Sequence, residues 1–520
     1  MSVRKLARAT AAALACGLVL SACGGSGSGG GGGGSADGPS GEPVQGGTAT
    51  VIQPADPRSL DPVVLHNNVS GQSILGNALY GQLILNDLET NETVPRMAES
   101  LETSDNGLTW TLKLRDGITY SDGTPMKSED IKFNWEHMGD PAVASGYLTD
   151  SLTITAVEVV DDLTVDITLV SPDAQFPALI RETALNWIGK PATIKAGQAE
   201  VDANPIGAGP FVLAEWRRQD VIKLVRNENY YDAPRPYLDA IDIRTITDPE
   251  QRINNLISGG ADLTTESSWL NLDKAQNEGL QMLNHQEGGG VGLVLNTRRP
   301  PFDDVRARAA LSAAIDLELV DDAVNNGTGQ VPTHLFTEDS PFFEDIPIHE
   351  HNPDEARKLF DELEAEGKPV KFTIIAFSPA SQVLISSIQT QLSAYDNVTV
   401  ESETIDMAQY ATLARDHDYD VIMSSMGENR FWMTLFSKSQ RNHSGINDPE
   451  LDKALTDART ATTDEDRRAH YRIVQERFAE LKPMIMYTRA AMGVIANSKV
   501  GGLQQYGFGS LLPDTLWIEE

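Results

Sequence analysis

Gly427-Glu428-Asn429-Arg430-Phe431-Trp432 brings an acid, an amide, a base and two large aromatic rings together in six residues. Such a set suits non-covalent recognition of a small solute, which needs a few fixed polar groups among apolar walls. It equally suits a polar loop whose aromatics fall into the core, and the sequence alone leaves both open. Catalysis has no comparable signal. There is no H-E-x-x-H, no G-x-S-x-G and no Walker A loop. The nine histidines are scattered, and the closest pair, His349 and His351 around Glu350, reads as a solvated loop. A zinc site draws on three or four convergent ligands, so no metal and no cofactor is expected. With 75 Asp and Glu, close carboxylate pairs arise by chance and say nothing of acid–base chemistry. Gly288-Gly289-Gly290 precedes a strand-like run instead of following one, which fits a turn or a close backbone approach and not a phosphate loop.

The elements that must position the hexapeptide are legible around it. Val370 to Ala376, Val398 to Thr404 and Tyr419 to Met423 are strand-like, and 379–394 and 406–415 have helical period. This β-α-β-α-β rhythm predicts a parallel sheet with covering helices. Ligands of such sheets sit beyond the carboxyl ends of the strands, which points to Phe377-Ser378 and to Ser424 through Trp432. Downstream, Asp448-Pro449 and the pair Thr463 and Asp466 open two helices within 448–482. The earlier half differs. Thr48 to Gln53 reads as a first strand, 108–115 alternates as a half-buried strand closed by Asp116-Gly117, and 156–170 reads as a hairpin about Asp161-Asp162. Ser128, followed by Glu129 and Asp130, reads as a helix N-cap. Residues 80–190 are thus expected to be antiparallel β with short helices.

At 520 residues, 40% hydrophobic and 22% charged, the chain is globular in type and long enough for two to four domains or lobes. A formal charge of -34 repels phosphate, which argues against nucleic acid and against electrostatic docking on anionic lipid. Cys16 and Cys23 are the only cysteines, so the body of the protein holds no disulfide, thiolate metal site or Cys nucleophile. Arg4, Lys5 and Arg8 precede a short apolar run, Ala9 to Leu20, that is too brief for a comfortable membrane span. It ends in Leu20-Ser21-Ala22-Cys23, which resembles the bacterial lipoprotein lipobox. That resemblance implies removal of residues 1–22 and lipid on Cys23; a plain secretory signal with an incidental cysteine is the alternative. Removing three basic residues and no acid leaves a formal charge of -37. Residues 23–46, with an unbroken glycine run from Gly29 to Gly34, read as a flexible tether.

Several blocks then fall into one order. Pro95-Arg96-Met97-Ala98-Glu99-Ser100 is followed by Gly107 through Gly117, by Ser121-Asp122-Gly123-Thr124-Pro125 and by Glu129-Asp130-Ile131-Lys132-Phe133. Further blocks are Pro205 through Phe211, Arg226 through Tyr231, Ser258 through Leu263, and Asn296-Thr297 with Pro300 through Arg308. Together they resemble the family 5 extracellular solute-binding proteins, the dipeptide, oligopeptide and nickel receptors of ABC importers. The resemblance implies an α/β, two-lobed periplasmic-binding-protein-like fold with an additional β-rich domain. It places lobe I at 47–80, 190–266 and 489–520, the additional domain at 81–189 and lobe III at 267–488, with crossings near 265–270 and 485–490. It implies a monomeric receptor and not an enzyme, held outside the cytoplasmic membrane only by its lipid, which passes a small solute to ABC permease subunits. A short peptide is the expected solute, with a nickel complex, opine or sugar as alternatives. A secreted hydrolase and a surface scaffold are the distant ones.

Peptide-binding relatives often carry Gly-Asp and then Asp-Pro in the matching loop. Here Gly427-Glu428 keeps the first acid, one methylene longer, and Arg430-Phe431 replaces the second pair, reversing its charge. The expected site is therefore Glu428 toward a solute ammonium and Arg430 toward a carboxylate or carbonyl. Asn429, Phe431 and Trp432 complete it, with Trp269 and Tyr487 from the two crossings as further walls.

Overall fold

The computed structural model describes residues 38–39, 41–88 and 90–519. The lipobox, Cys23 and most of the glycine tether lie outside them.

Thr109–Leu114 buries Trp110, Leu112 and Leu114 and turns Thr111 and Lys113 to solvent. This alternation makes it an inner strand of a four-stranded antiparallel sheet, in the order Ala98–Thr103, Thr109–Leu114, Thr164–Leu169, Ile154–Asp161. Helix Ser128–Met138 covers the sheet with Ile131, Trp135 and Met138, which share one helical face. Ser128 is not its N-cap. Lys127 holds that position, its amide donating to the Asp130 carboxylate at 2.9 Å. The Ser128 hydroxyl instead bonds the Asp161 carbonyl, because a tertiary acceptor lies within reach. This β-rich part shares one continuous core with the first lobe, where Trp187 and Ile180 join Leu79 and Leu83.

The first lobe is built on a seven-stranded mixed sheet. Its order is Gln281–Asn284, Gly493–Ala496, Leu263–Glu266, Thr48–Gln53, Ala240–Thr245, Val221–Arg226, Phe211–Arg217. The strand Gln281–Asn284 pairs with Gly493–Ala496, so helix Trp269–Asn277 stays with this lobe. The family resemblance put the first crossing near 265–270 and the start of lobe III at 267. In the structure the chain crosses at 285–288, between the strands Gln281–Asn284 and Gly289–Leu295, and returns at 489–492.

Lobe III carries a five-stranded sheet in the order Val398–Thr404, Val370–Ala376, Val421–Gly427, Gly289–Leu295, Met484–Thr488. The first three strands are parallel, as the β-α-β-α-β rhythm predicts. The last two run antiparallel to their neighbours, which makes the sheet mixed. They enter and leave through the interlobe crossings and not through helical crossovers, so no parallel geometry is imposed on them. Both faces of the sheet are buried: Leu293, Leu295, Val421, Met423 and Ile485 face one core, and Val294, Ile422, Met484 and Met486 the other. Gly289 is required by close approach. A Cβ there would lie 1.8 Å from the Met426 carbonyl oxygen, and its φ is +81°.

Candidate functional site

The strand Val421–Gly427 ends at Gly427, and the chain turns through Glu428–Arg430 into the short helix Phe431–Leu435. Here, beyond the carboxyl end of a sheet strand, lies a cavity of about 380 Å³ between the lobes. Lobe III lines it with Ser424, Gly427, Arg430, Arg441 and His443; His66, Tyr147, Glu182 and Phe508 stand opposite. The other expected loop takes no part. Ser378 caps the helix Pro379–Leu392, and the Phe377 ring packs on Tyr410 at 4.9 Å.

The hexapeptide is divided between cavity, contact and core. Arg430 lines the cavity, with its Nε 3.9 Å from a Glu182 carboxylate oxygen. Asn429 donates to the same carboxylate at 2.9 Å. Glu428 does not line the cavity; its carboxylate accepts from the Gly288 amide at 3.0 Å. Phe431 is 1% exposed and stands edge-on to Phe336 at 5.2 Å, inside the lobe III core. Trp432 lies on the far side of the Arg430–Glu182 contact. There it lines a narrower pocket of about 70 Å³ with Tyr471, Asp173 and Arg459, and stacks on Phe436. Neither further wall residue reaches the cavity lining. Trp269 is buried in the first lobe, its indole donating to the Arg489 carbonyl at 2.9 Å, and Tyr487 packs against the lobe III core.

Charges of both signs lie close to one another behind the cavity wall around Glu182 and Arg430. Burial raises the Glu428 carboxyl above the usual carboxylate range, and Glu182 raises it further. Glu287, on the first crossing, is raised well up by burial, then by Glu182 and Glu428, against the opposing pull of Arg181 and Arg430. Burial pulls Arg430 down, yet Glu182 and then Asp150 outweigh it and hold the guanidinium firmly charged. Arg181 is lowered by burial despite the same three carboxylates. Arg489 is lowered by burial to about 10, and its guanidinium donates to four carbonyls, those of Gly289, His334, Leu335 and Phe336. It thereby ties the second crossing to the start of the first lobe III strand. Among the described residues no group of three or more His, Cys, Asp and Glu could hold a metal ion. His349 instead leans on the Ser312 hydroxyl, and His351 faces Asp316. No helix among the described residues is long and apolar enough to cross a membrane.

Direct contacts also join the two walls. Arg459 of lobe III pairs with Asp173 at 2.7 Å, and its carbonyl accepts from the Ala174 amide at 2.8 Å. Arg441 reaches the fully buried Asp150 at 3.4 Å. These opposing residues were missed in the sequence. The one usable signal was Arg181-Glu182, a charged pair inside the mostly apolar run 176–188. His66, Tyr147 and Phe508 carried none.

A model of the bacterial extracellular solute-binding proteins, family 5 (middle region), matches residues 92–448. The chain is 26% identical over 506 residues to the probable di/tripeptide-binding protein 5 of Pseudomonas aeruginosa, covering 90% of this chain and 95% of that one. It is 27% identical over 485 residues to heme-binding protein A of Haemophilus influenzae, covering 85% and 86%. Among solved structures, the periplasmic binding protein AgaA of A. tumefaciens R10 in complex with agropinic acid matches with a TM-score of 0.77 at 24% identity. That match covers 91% of this chain and 99% of that one, and shows a shared fold.

Proposed function

Because the chain belongs to the family 5 bacterial extracellular solute-binding proteins, and so serves as a binding component of an ABC import system, we propose that its interlobe cavity holds a short peptide. One observation carries this reading: the walls of the cavity are of opposite sign. Arg430 and Arg441 stand on lobe III, and Glu182 faces them from the other side. A peptide of two or three residues presents an ammonium and a carboxylate at a spacing such walls can match. The volume of about 380 Å³ suits a small solute, not a long chain. The P. aeruginosa relative, by its name a probable di/tripeptide-binding protein, supports the same size class.

In this reading Arg430 and Arg441 take the carboxylate and Glu182 takes the ammonium, with Glu428 and Glu287 adding negative charge behind it. A solute that touches both lobes does so fully only when they are closed, so binding shifts an open–closed equilibrium. Cys23 carries the lipid that keeps the receptor beside its permease. Mass spectrometry of the solute released from the purified full chain on denaturation is the decisive test. Di- or tripeptides should dominate; an opine, a sugar or a nickel complex in their place would overturn the peptide assignment.

A further inference from the structure

The narrower pocket beside the main cavity takes no part in the peptide reading so far. It measures about 70 Å³ and is walled from both sides: Ala178 and Leu179, on the helix Phe176–Glu182, stand against Trp432, Met433, Leu455 and Tyr471 of lobe III. Packing fixes these walls. Ala178 and Leu455 are buried, Trp432 stacks on Phe436, and the Tyr471 ring meets Phe336 at 5.2 Å and Phe342 at 5.1 Å. Most of the polar lining is already engaged. Asp173 pairs with Arg459 at 2.7 Å and accepts from the Gln175 amide at 2.8 Å, and the Thr153 hydroxyl donates to the Asp150 carbonyl at 2.7 Å. What the pocket offers a solute is therefore mainly apolar surface. Glu182, Arg430 and Met433 line this pocket and the main cavity alike, so one layer of side chains separates the two. Within that layer the Arg430 Nε stands 3.9 Å from Glu182, beyond hydrogen-bond range. Both spaces lie between the same opposing walls and open together when the lobes part, so a solute laid down before closure needs no passage through the layer.

We propose that this pocket receives the side chain of the solute's first residue and selects a small branched aliphatic one, of which valine is the type. The proposal rests on the peptide reading and deepens it by naming the side chain the receptor prefers. Glu182 is the anchor, because it takes the ammonium in that reading and is itself a wall of the pocket. The Cβ of the first residue lies two bonds from the ammonium nitrogen, about 2.5 Å away. The first side chain is thus the one that Glu182 brings to the pocket, whereas the second points to the opposite side of an extended peptide. The ammonium supplants the loose contact between Glu182 and Arg430, and the side chain occupies the space beyond it. Size then sets the class. A cavity of about 150 Å³ holds a benzene ring, so half that volume holds about three carbon atoms. An isopropyl group fills the pocket, a methyl group leaves it partly empty, and a phenyl ring has no room. A cationic side chain would find the Asp173 carboxylate already held by Arg459.

Calorimetry on the full chain compares four dipeptides: alanyl-alanine, valyl-alanine, alanyl-valine and phenylalanyl-alanine. Valyl-alanine should bind about tenfold more tightly than alanyl-alanine, the gain that burying two more methyl groups gives. Alanyl-valine, with the same atoms in the other order, should gain little, and phenylalanyl-alanine should bind more weakly than valyl-alanine. Two variants then alter the pocket from opposite walls, each checked for folding by its melting curve. Ala178→Leu fills it and should bring the ratio of valyl-alanine to alanyl-alanine affinity toward one. Leu455→Ala enlarges it and should place phenylalanyl-alanine above valyl-alanine. A wild type that binds all four dipeptides alike, or alanyl-valine as tightly as valyl-alanine, would overturn the pocket assignment and leave the peptide reading standing. So would a folded Ala178→Leu variant that keeps the wild-type ratio. If none of the four binds, the peptide reading falls and the assignment with it.

Discussion

The guanidinium of Arg459 sits over the Trp432 indole, 4.2 Å from carbon to ring centroid, while it holds the Asp173 carboxylate at 2.7 Å. One side chain thus joins Trp432 of lobe III to the β-rich domain opposite, at a place where both partners of the ion pair are about nine-tenths buried. It clasps the lobes beside the cavity without lining the cavity itself.

Arg459→Ala should therefore loosen closure. A desolvated cation–π contact is worth up to about 2 kcal/mol, and breaking a buried pair costs about 3–5 kcal/mol. The apparent affinity for any solute that needs the closed form should fall at least tenfold, since only the closed fraction binds. Small-angle scattering of the unliganded variant should give a larger radius of gyration than the wild type. An unchanged radius would show that the clasp does not set the lobe equilibrium.

Phe431 and Trp432 should separate in their effects. Phe431→Ala empties a fully packed site and should cost about 3–5 kcal/mol of stability, seen as a lowered denaturant midpoint. Trp432→Ala removes a platform for Arg459 and should lower solute affinity more than stability. Equal stability losses for the two would contradict this division.

His349 should give the protein an acid-sensitive component distant from the cavity. Burial, then Lys482 and His351, lower its pKa to about 4. The folded state thus resists protonation while the unfolded chain accepts a proton near pH 6.5, so stability falls as pH drops from about 6.5 toward 4. Its size should be on the order of 1–3 kcal/mol. His349→Asn should flatten the pH dependence of the melting temperature over that interval, and a slope equal to that of the wild type would count against it.

On the proposal that Cys23 carries the lipid, Cys23→Ala should release the protein from membranes, since lasting anchorage takes two acyl chains and a formal charge of -34 is repelled by anionic lipid. Fractionation of cells, followed by immunoblotting, measures it. A variant that still sediments with membranes would assign the anchoring elsewhere.

What the sequence revealed was local in origin. The alternation of 108–115, the β-α-β-α-β rhythm of 370–423 and the helix starts at Asp448 and Thr463 are set by neighbours a few residues away. Both starts carry a side-chain cap, to the amides of Leu451 and Asp466. The strand itself was legible for the same reason, and with it one wall of the cavity, but its end was expected at Met423 and lies at Gly427. Ser128 misled because a distant carbonyl competed for its hydroxyl. The aromatics at 431 and 432 could not be assigned without the rings they meet, Phe336 and Phe436. The opposing wall, from His66 to Phe508, is drawn from four separate stretches of chain. No local pattern marks residues brought together by tertiary folding alone.

The seven-stranded sheet, finally, imposes an order of events on folding. Lobe III takes all five of its strands from one uninterrupted stretch, 289–488. The first lobe begins with Thr48–Gln53 yet needs Gly493–Ala496 as an inner strand. It also needs the last turns of chain. Asn77 donates to the Leu511 carbonyl at 2.8 Å and accepts from the Tyr506 hydroxyl at 2.7 Å, and Asn67 accepts from Ser510 at 2.7 Å. A chain emerging from its amino end can complete lobe III while the earlier lobe still waits for its partners, across a separation of more than 400 residues. Such non-local closure is slow and leaves strand edges open meanwhile. The lobe made first is thus the lobe finished last, and losing the final fifteen or so residues would unmake the amino-terminal half of the molecule before it touched the carboxyl-terminal half.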